Sequence, residues 1–334
     1  MADSIQHNSY QDYLIHKHSQ FNTPEFVIDE KIKKATGSIP VSKTKLILGE
    51  VNEVYDVLTQ DGQKVIVRIS RSKHPRFEAE KKAINLARVA GVPAPQIIML
   101  DKYETPEEVL TFCIEKKLPG ETLSKLKTLP SENPELFQNL ICEAGKILSR
   151  IHSATAPVFG GLDKEGTEEE FKSWPEFILA LEKKREKITQ AATRTGIEMS
   201  DIDEAFKILT ASKDLYEGVK PQLLHGDFST KHLLVEGNHI TGVIDFENCK
   251  GGDPVYDFAW FDYFYGHHIP LDWLKKGYQN KQVLEDRFKD KLFTYKIYLG
   301  LGFIDYYQSE NNQPGINHTK MRLQEDLGYF RGSL

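Results

Sequence analysis

Two segments constrain this chain most strongly: Leu-Leu-His-Gly-Asp-Phe-Ser-Thr-Lys-His-Leu-Leu at residues 223–234, and Gly-Val-Ile-Asp-Phe-Glu at residues 242–247. Between them, Gly237-Asn238 separates two short apolar segments and predicts a hairpin turn. The pattern therefore places the polar residues of both segments in tight loops and at strand ends. Side chains at such positions can be held still and still reach solvent.

The spacing of these polar residues fits phosphoryl transfer. That reaction needs a carboxylate to orient and deprotonate an acceptor hydroxyl, and ligands that hold magnesium against the nucleotide phosphates. Asp227 suits the first role, and His232 and Asp245 suit the second. Protein kinases use the motifs H-R-D-x-x-x-x-N and D-F-G where this chain has H-G-D-x-x-x-x-H and D-F-E. The alternative is a purely structural His-Gly-Asp turn, which the second motif after the hairpin makes less favourable.

Both motifs resemble those of the aminoglycoside phosphotransferase family, which also covers macrolide phosphotransferases and is similar to choline and fructosamine kinases. The family loop is H-G-D-x-x-x-x-N, followed by a hairpin and I-D-F or I-D-W. This chain departs from it at His232, which stands in the place of the Asn. Magnesium prefers oxygen ligands, so imidazole is a poorer partner for it. Some aminoglycoside and macrolide phosphotransferases resemble this chain in carrying His there, and His232 is interpreted as the mark of a branch.

The residues after Lys43 predict a nucleotide-binding lobe of short strands. Segments rich in β-branched residues flank Asp61-Gly62, which predicts a hairpin. The resemblance implies that the loop from Gly49 to Asn52 covers the nucleotide phosphates through its backbone N–H groups. The loop has one glycine, so a plain β-turn is the alternative.

The resemblance also assigns a phosphate-binding cation to this lobe. Arg68 stands where the family carries that cation, and Glu80 on the following helix would brace it. Glu78 is the other acid of that helix, and for it a solvated surface position is the better interpretation. The alternative for Arg68 is an exposed strand residue paired with a surface acid. The backbone from Glu115 to Lys117 would bind the edge of the nucleotide base, as a kinase hinge does.

The second half of the chain predicts helices, including one that Asn133-Pro134 opens and others over residues 284–308 and 320–330. His152 ends the first of these in a family-like L-x-x-L-H signature and is interpreted as structural. Asp257, in Gly-Asp-Pro-Val-Tyr-Asp-Phe-Ala, is expected to brace the catalytic loop. Glu247 and Asp262 are acids near the active end. They are candidates for binding substrate amines, with surface solvation as the alternative.

Composition excludes several other classes of protein. The chain has 334 residues, of which 40% are hydrophobic and 28% charged, and a net charge of −6. Nucleic acid is not an expected partner, because its binding surfaces are basic, whereas mild acidity suits a cationic ligand. The three cysteines are far apart and predict neither a zinc site nor a disulfide framework. Reduced thiols in the cytoplasm are the simplest interpretation of these cysteines. A polar N-terminus and the lack of a long apolar segment predict that the chain does not enter a membrane.

We therefore predict an α+β protein with the two-lobed fold of protein kinases. The small N-lobe is rich in antiparallel β-strands, and the larger C-lobe is mostly α-helical. The predicted divisions are an N-terminal extension at residues 1–40, a nucleotide-binding N-lobe at 41–118, and a catalytic and acceptor-binding C-lobe at 119–334.

The function that the resemblance implies is a small-molecule kinase using Mg²⁺ and either ATP or GTP. Its acceptor would be a hydroxyl of a cationic, aminoglycoside-like molecule, and the chain would act as a monomer or dimer. A macrolide, an endogenous sugar or an amino alcohol is the alternative acceptor, and a catalytically dead nucleotide-binding member is the alternative function. A protein kinase is disfavoured because no Gly follows Asp245-Phe246 and no A-P-E motif appears later.

Overall fold

The structure is a computed structural model that describes residues 10–47, 49, 51–285 and 287–332. The described chain divides into two compact units. Unit 1 contains the residues up to Lys81 together with Ala94–Pro119, and unit 2 contains Lys82–Pro93 and the residues from Gly120 onward. Residues 1–9 of the predicted N-terminal extension, and Glu50 of the predicted phosphate loop, lie outside the described residues.

Unit 1 is built on an antiparallel sheet whose strand order is β1-β2-β3-β5-β4. The strands are β1 Pro40–Leu46, β2 Asn52–Thr59, β3 Lys64–Ser70, β4 Ile97–Glu104 and β5 Val109–Lys116. The predicted turn at Asp61-Gly62 joins β2 to β3, and Gly62 has φ +85°, a value that a residue with a Cβ rarely adopts. Two helices, α1 Tyr10–Ser19 and α2 Glu25–Thr36, precede the sheet, and α3 Phe77–Val89 follows β3.

The core of unit 1 explains why the chain carries a segment before the first strand. Alternate residues of β3, including Val65, Val67 and Ile69, are buried on one side of the sheet. Val27 and Ile32 of α2 belong to the same apolar cluster. The helix α2 therefore belongs to the core of the unit, because burial of apolar surface is the main favourable term in folding.

A buried carboxylate also joins this segment to the sheet. Glu53 on β2 is fully buried and accepts hydrogen bonds from Thr23 at 2.6 Å and from Tyr55 at 2.7 Å. Arg71 and Lys45 form ion pairs with the same carboxylate at 2.9 and 3.1 Å. Burial alone would raise the pKa of Glu53, but these hydrogen bonds outweigh it and lower the pKa. The carboxylate thus stays ionised and holds the chain around Thr23 in place.

Unit 2 is mostly helical. In the described residues, two three-stranded sheets have the orders β10-β9-β6 and β7-β11-β8. Their strands are β6 Glu121–Thr122, β7 Gly160–Gly161, β8 Gln222–Leu224, β9 Leu233–Glu236, β10 His239–Val243 and β11 Lys250–Gly252. The helices are α4 Leu129–Glu132, α5 Pro134–Ile151, α6 Trp174–Leu179, α7 Arg185–Thr195, α8 Met199–Ala211, α9 Val255–Tyr265, α10 Leu271–Gly277, α11 Lys281–Glu285, α12 Phe288–Ser309 and α13 Gln313–Arg331. The predicted α+β class is confirmed.

A sequence signal explains where α5 begins. Asn133 caps α5 by accepting a hydrogen bond from the backbone N–H of Leu136, with Pro134 in the first turn as predicted. The helix predicted over residues 284–308 corresponds to α12, but its predicted start is wrong. The short helix α11 ends first, and α12 begins at Phe288, because Arg287 has φ +50°, outside the right-handed helical region.

Glycine allows two helices of unit 2 to approach each other closely. A Cβ placed on Gly277 of α10 would lie 1.7 Å from the carbonyl oxygen of Cys142 on α5. A Cβ on Gly145 of α5 would lie 2.0 Å from the carbonyl oxygen of Leu274. The two helices therefore pack backbone against backbone at this point.

Among the described residues, no helix is both long and apolar enough to cross a membrane.

Candidate active site

The loop between β8 and β9 carries the His-Gly-Asp motif, and α9 fixes its backbone. Asp257 is fully buried, and its carboxylate accepts from the backbone N–H groups of His225 and Gly226, both at 2.8 Å. His152 Nε2 lies 3.0 Å from the same carboxylate, and its Nδ1 lies 2.9 Å from the hydroxyl of Tyr278. Burial alone would raise the pKa of Asp257, but the hydrogen bond from His152 helps to lower it. The expected bracing contact of Asp257 is therefore present, and His152 is one of its partners.

His225 links the two sequence motifs. Its Nε2 lies 3.1 Å from the carbonyl oxygen of Ile244, the residue before Asp245, and therefore donates to it. Its Nδ1 accepts from the backbone N–H of Asp227 at 3.3 Å. Burial, together with the charge of His232, lowers the pKa of His225 to about 4. His225 thus connects the backbone of Asp227 to the residue before Asp245, and it does so as a neutral imidazole.

Asp227 is the acid of this loop that is suited to act as a base. Its side chain is 27% exposed, so a small molecule can reach it. Burial of the rest of the group raises its pKa above the usual carboxylate range, and the charge of His232 opposes that effect. Trp260 on α9 also opposes the effect of burial on this pKa. Asp227 is thus a stronger base than a solvated aspartate.

His232 and Asp245 lie side by side. His232 Nε2 is 3.2 Å from Asp245 Oδ2, and its Nδ1 is 2.9 Å from the carbonyl oxygen of Asp227. A carbonyl only accepts, so Nδ1 carries a hydrogen, and Nε2 is the ring nitrogen that a metal ion beside Asp245 would use. Metal-binding histidines commonly have this arrangement, in which a carbonyl accepts from their other nitrogen. Asp245 has φ +66°, a left-handed conformation that is rare for a residue other than glycine.

These two side chains fit a divalent cation as neighbouring ligands. Ligands at about 2.1 Å from magnesium in an octahedron lie about 3.0 Å apart, close to the observed separation. Within the described residues, no group of three or more His, Cys, Asp or Glu side chains is arranged to hold a metal ion. Magnesium usually binds one or two protein groups and takes its other ligands from phosphates and water. A pair of ligands is therefore sufficient for a nucleotide-bound cation.

Unit 1 contains a buried cation with two acidic partners. The guanidinium of Arg68 lies 2.7 Å from Glu80 and 3.3 Å from Glu115, and it packs over the ring of Phe77 at 5.1 Å. Burial alone would lower the pKa of Arg68, but both carboxylates raise it well above its usual value. Glu78 is exposed and is not the partner. The sequence did not indicate that the side chain of Glu115 would join the pair.

The other residues of unit 1 that were predicted to bind the nucleotide lie at or near the ends of strands. Gly49 has φ +68°, and its carbonyl oxygen lies 3.0 Å from His18 Nε2. Asn52 begins β2 opposite Ser70. Lys117 follows β5, where its backbone N–H donates to Lys64 and its ammonium pairs with Asp56 at 2.5 Å.

The two acids proposed for substrate amines differ in their surroundings. Glu247 is half-buried in the short turn Phe246–Asn248 that follows Asp245. Asp262 lies 2.8 Å from Lys296 and 3.3 Å from Arg322, and both of these cations are buried. An amine at Asp262 would therefore compete with two cations of the chain itself.

Two side chains near Asp227 were missed from the sequence. Trp260 helps to lower the pKa of Asp227. Burial raises the pKa of Tyr265, and Thr230 and Ser229 of the same loop oppose that shift. A signal for Trp260 was available. It lies three residues after Asp257 on one helix, and residues at that spacing share a face.

Comparison with known proteins places these features in a family. Residues 44–281 match the model of the family described as the phosphotransferase enzyme family, APH. The hygromycin-B 4-O-kinase of Escherichia coli is 25% identical over 170 residues, which are 51% of this chain and 47% of that relative. The chain thus matches about half of the length of this relative.

Solved structures show the same fold. A thermostable mutant of aminoglycoside phosphotransferase APH(4)-Ia, in a ternary complex with ADP and hygromycin B, has a TM-score of 0.66 at 17% identity over 90% of this chain and 97% of the other. The complex of gentamicin with APH(2")-IIa has a TM-score of 0.62 at 17% identity over 91% and 97% of the two chains. These likenesses confirm the predicted kinase-like α+β fold.

Proposed function

Because the chain belongs to the phosphotransferase enzyme family, we propose that it transfers the γ-phosphate of ATP or GTP to a hydroxyl of a small, aminoglycoside-like acceptor. The observation that carries this proposal is the position of His232 between two carboxylates. Its Nδ1 lies 3.9 Å from Asp227 Oδ1, and its Nε2 lies 3.2 Å from Asp245 Oδ2. One loop and the residue after the hairpin thus present a base beside a pair of metal ligands, as phosphoryl transfer requires.

Asp227 orients the acceptor hydroxyl and takes its proton. The acceptor oxygen forms a bond to the γ-phosphorus while the bond from that phosphorus to the β–γ bridging oxygen breaks. The nucleoside diphosphate leaves with the electron pair. The raised pKa of Asp227 supports this role, because the carboxylate is more basic than a solvated one.

His232 and Asp245 would hold Mg²⁺. When bound, the cation neutralises charge that develops on the phosphate oxygens. The hydrogen bond from His232 Nδ1 to the carbonyl of Asp227 keeps Nε2 available as a ligand.

Arg68 binds a phosphate oxygen, braced by Glu80 and Glu115. Its Nε atom is buried and has no hydrogen-bond partner within the described residues, so the guanidinium retains a donor. Gly49 and Asn52 would cover the phosphates through the backbone, and the backbone from Glu115 to Lys117 would contact the nucleotide base. These last assignments rest on the family pattern.

The acceptor assignment rests on relatives. One relative is named for hygromycin B, and solved structures of similar fold contain hygromycin B or gentamicin. A macrolide, an endogenous sugar or an amino alcohol is the alternative acceptor. A catalytically dead member is the alternative function, which the imidazole at position 232 keeps open because magnesium prefers oxygen.

The experiment is phosphate transfer from labelled ATP and GTP, with Mg²⁺, to aminoglycosides, macrolides, simple sugars and amino alcohols. Wild type is compared with Asp227→Asn and with Asp272→Asn, which changes an exposed acid on α10. We expect transfer by wild type and by Asp272→Asn, and a loss of about 100-fold or more in kcat for Asp227→Asn. Nucleotide binding without transfer to any acceptor would contradict the proposal and favour a dead member.

A further inference from the structure

The side chain of Lys250 lies between the two loops that carry the proposed base and one proposed metal ligand. Lys250 begins β11 and pairs with Leu224, the last residue of β8 before the His-Gly-Asp loop. Its ammonium donates a hydrogen bond to the carbonyl oxygen of Asn248 at 2.9 Å. Asn248 ends the short turn that follows Asp245. The ammonium is therefore bonded to the turn that comes directly after a proposed metal ligand.

The same ammonium packs against the His-Gly-Asp loop at Gly226. A Cβ placed on Gly226 would lie 2.6 Å from Lys250 Nζ and 1.9 Å from the carbonyl oxygen of Asn248. Both distances are shorter than a Cβ can approach another atom, and the carbonyl belongs to the backbone, so a side chain at this position would push the two loops apart. Gly226 also has φ +79°, which favours glycine. Glycine thus lets the turn and the ammonium reach the backbone next to Asp227.

The ring of Tyr256 gives the ammonium a further contact. Lys250 Nζ lies 4.7 Å from the centre of that ring, within the range of a cation–π interaction. Tyr256 is itself buried, and its ring contacts those of Trp174 and Tyr295, so it is a firm support. Ordering a lysine side chain costs conformational entropy, which these contacts offset. The ammonium of Lys250 therefore has a defined position beside the candidate active site.

Hydrogen bonds on both sides of Asp245 support its unusual backbone. His225 donates to the carbonyl of Ile244, the residue before Asp245. Lys250 donates to the carbonyl of Asn248, three residues after Asp245. Asp245 has φ +66°, and a conformation of this kind persists only where the surrounding structure holds it. The two hydrogen bonds are thus placed to hold the backbone that aims the Asp245 carboxylate.

We propose that Lys250 is a positioning residue for phosphoryl transfer, whose ammonium holds the backbone at Asp245 against the loop of the base Asp227. This inference rests on the proposed function and adds a residue to it. Lys250 touches no reacting atom in this role and acts through Asp245. Loss of the ammonium should therefore weaken metal binding and slow the chemical step, while the acceptor binds as before.

The test compares variants that lose an ammonium in different places. Lys250→Met keeps a side chain of similar length without the charge. Lys250→Gln keeps a neutral donor and serves if Lys250→Met does not fold. Lys320→Met is the matched control, because Lys320 on α13 also donates to a backbone carbonyl, that of Gly196, at 2.6 Å. Urea denaturation measures the stability of each variant.

Two measurements follow the proposed role itself. Electron paramagnetic resonance measures the Kd of Mn²⁺ in the presence of a non-hydrolysable analogue of ATP or of GTP, which requires no turnover. Phosphate transfer measures the kcat and the KM of the acceptor. A purely structural role would lower stability without changing the Kd of Mn²⁺ in the folded protein.

We expect both Lys250 variants to raise the Kd of Mn²⁺ about 10-fold, the effect of losing one hydrogen bond from a charged group. The kcat should fall about 10- to 100-fold, because a misplacement of about 1 Å can cost about 100-fold in rate. The acceptor KM should not change, and Lys320→Met should match wild type in all three quantities. Equal Kd and kcat in the Lys250 variants and Lys320→Met would overturn the inference. A rise in acceptor KM that accounts for the whole loss of activity would also overturn it.

Failure of the proposed function gives a different pattern. If the Lys250 variants bind Mn²⁺ more weakly than Lys320→Met while wild type transfers no phosphate to any acceptor, the positioning role stands and the kinase proposal fails. If wild type transfers phosphate and the Lys250 variants bind Mn²⁺ and turn over as Lys320→Met does, the kinase proposal stands and the role of Lys250 fails.

Discussion

His18 Nε2 lies 3.0 Å from the carbonyl oxygen of Gly49, so α1 contacts the loop that follows β1. His18 is only 2% exposed, and its ring packs against that of Phe21 at 5.0 Å. The segment before the first strand is therefore in direct contact with the backbone that is proposed to cover the nucleotide phosphates.

Loss of this contact should weaken nucleotide binding. We expect His18→Ala to raise the KM for nucleotide about 2- to 10-fold, the effect of one hydrogen bond, because the Gly49 loop loses its support. The acceptor KM should not change. His16→Ala, an exposed change on the same helix, is the control and should match wild type. An unaltered nucleotide KM in His18→Ala would show that the loop does not depend on α1.

The metal preference should depend on His232. Imidazole suits transition metals better than magnesium, so wild type should be activated at lower concentrations of Mn²⁺ than of Mg²⁺. His232→Asn supplies an oxygen ligand. It should therefore reduce the ratio of the Mg²⁺ activation constant to the Mn²⁺ activation constant by several-fold. Titration of each metal at saturating nucleotide measures the ratio. The same ratio in both proteins would show that His232 is not a ligand.

The close contact between α5 and α10 predicts two opposite outcomes for one kind of substitution. Gly277→Ala places a methyl group 1.7 Å from the carbonyl oxygen of Cys142 and should lower the free energy of unfolding by about 1–3 kcal/mol or more. Gly328→Ala on α13 meets nothing within 4 Å and should be neutral or stabilising by up to about 1 kcal/mol. Urea denaturation followed by circular dichroism compares them. Similar stabilities would contradict the packing.

Acid should destabilise the fold through His225. Its pKa is lowered to about 4 in the folded chain, from an ordinary value of 6.5. The unfolded chain therefore binds more protons between these two values, and stability falls as pH decreases through that window. The full effect is about 3 kcal/mol, to order of magnitude.

The measurement for His225 is the free energy of unfolding at pH 7, 5.5 and 4.5 for wild type and His225→Gln. The pKa of Asp326 is raised to about 6 and contributes with the opposite sign, because a raised carboxylate pKa gives stability that is lost as pH rises. That contribution is common to both proteins and cancels in their difference. Wild type should lose more stability than His225→Gln on acidification, and parallel losses would contradict the assignment.

The features that were predictable from the sequence are those in which the residue types and their spacing along the chain indicate the same local structure. The His-Gly-Asp loop, the hairpin before Asp245 and the cap at Asn133 depend on neighbours in sequence, so local patterns indicate them. The pair of Arg68 and Glu80, which the family resemblance implied, is also present in the structure.

Contacts between distant residues were not predictable in the same way. Glu53 joins Thr23, Lys45 and Arg71, and no motif relates these positions. The role of the segment before β1 therefore became clear only with the fold. The ion pairs of Asp262 were likewise not predictable, because its partners Lys296 and Arg322 lie on other helices.

Asp257 joins the helix α9 to the His-Gly-Asp loop, and this link should limit which substitutions the helix tolerates. The helix α9 holds the His-Gly-Asp loop through the carboxylate of Asp257. Trp260, one turn later on the same helix, helps to set the pKa of Asp227. Substitutions on this part of α9 would therefore disturb the loop and the proposed base together, so we expect natural variation to be rare there.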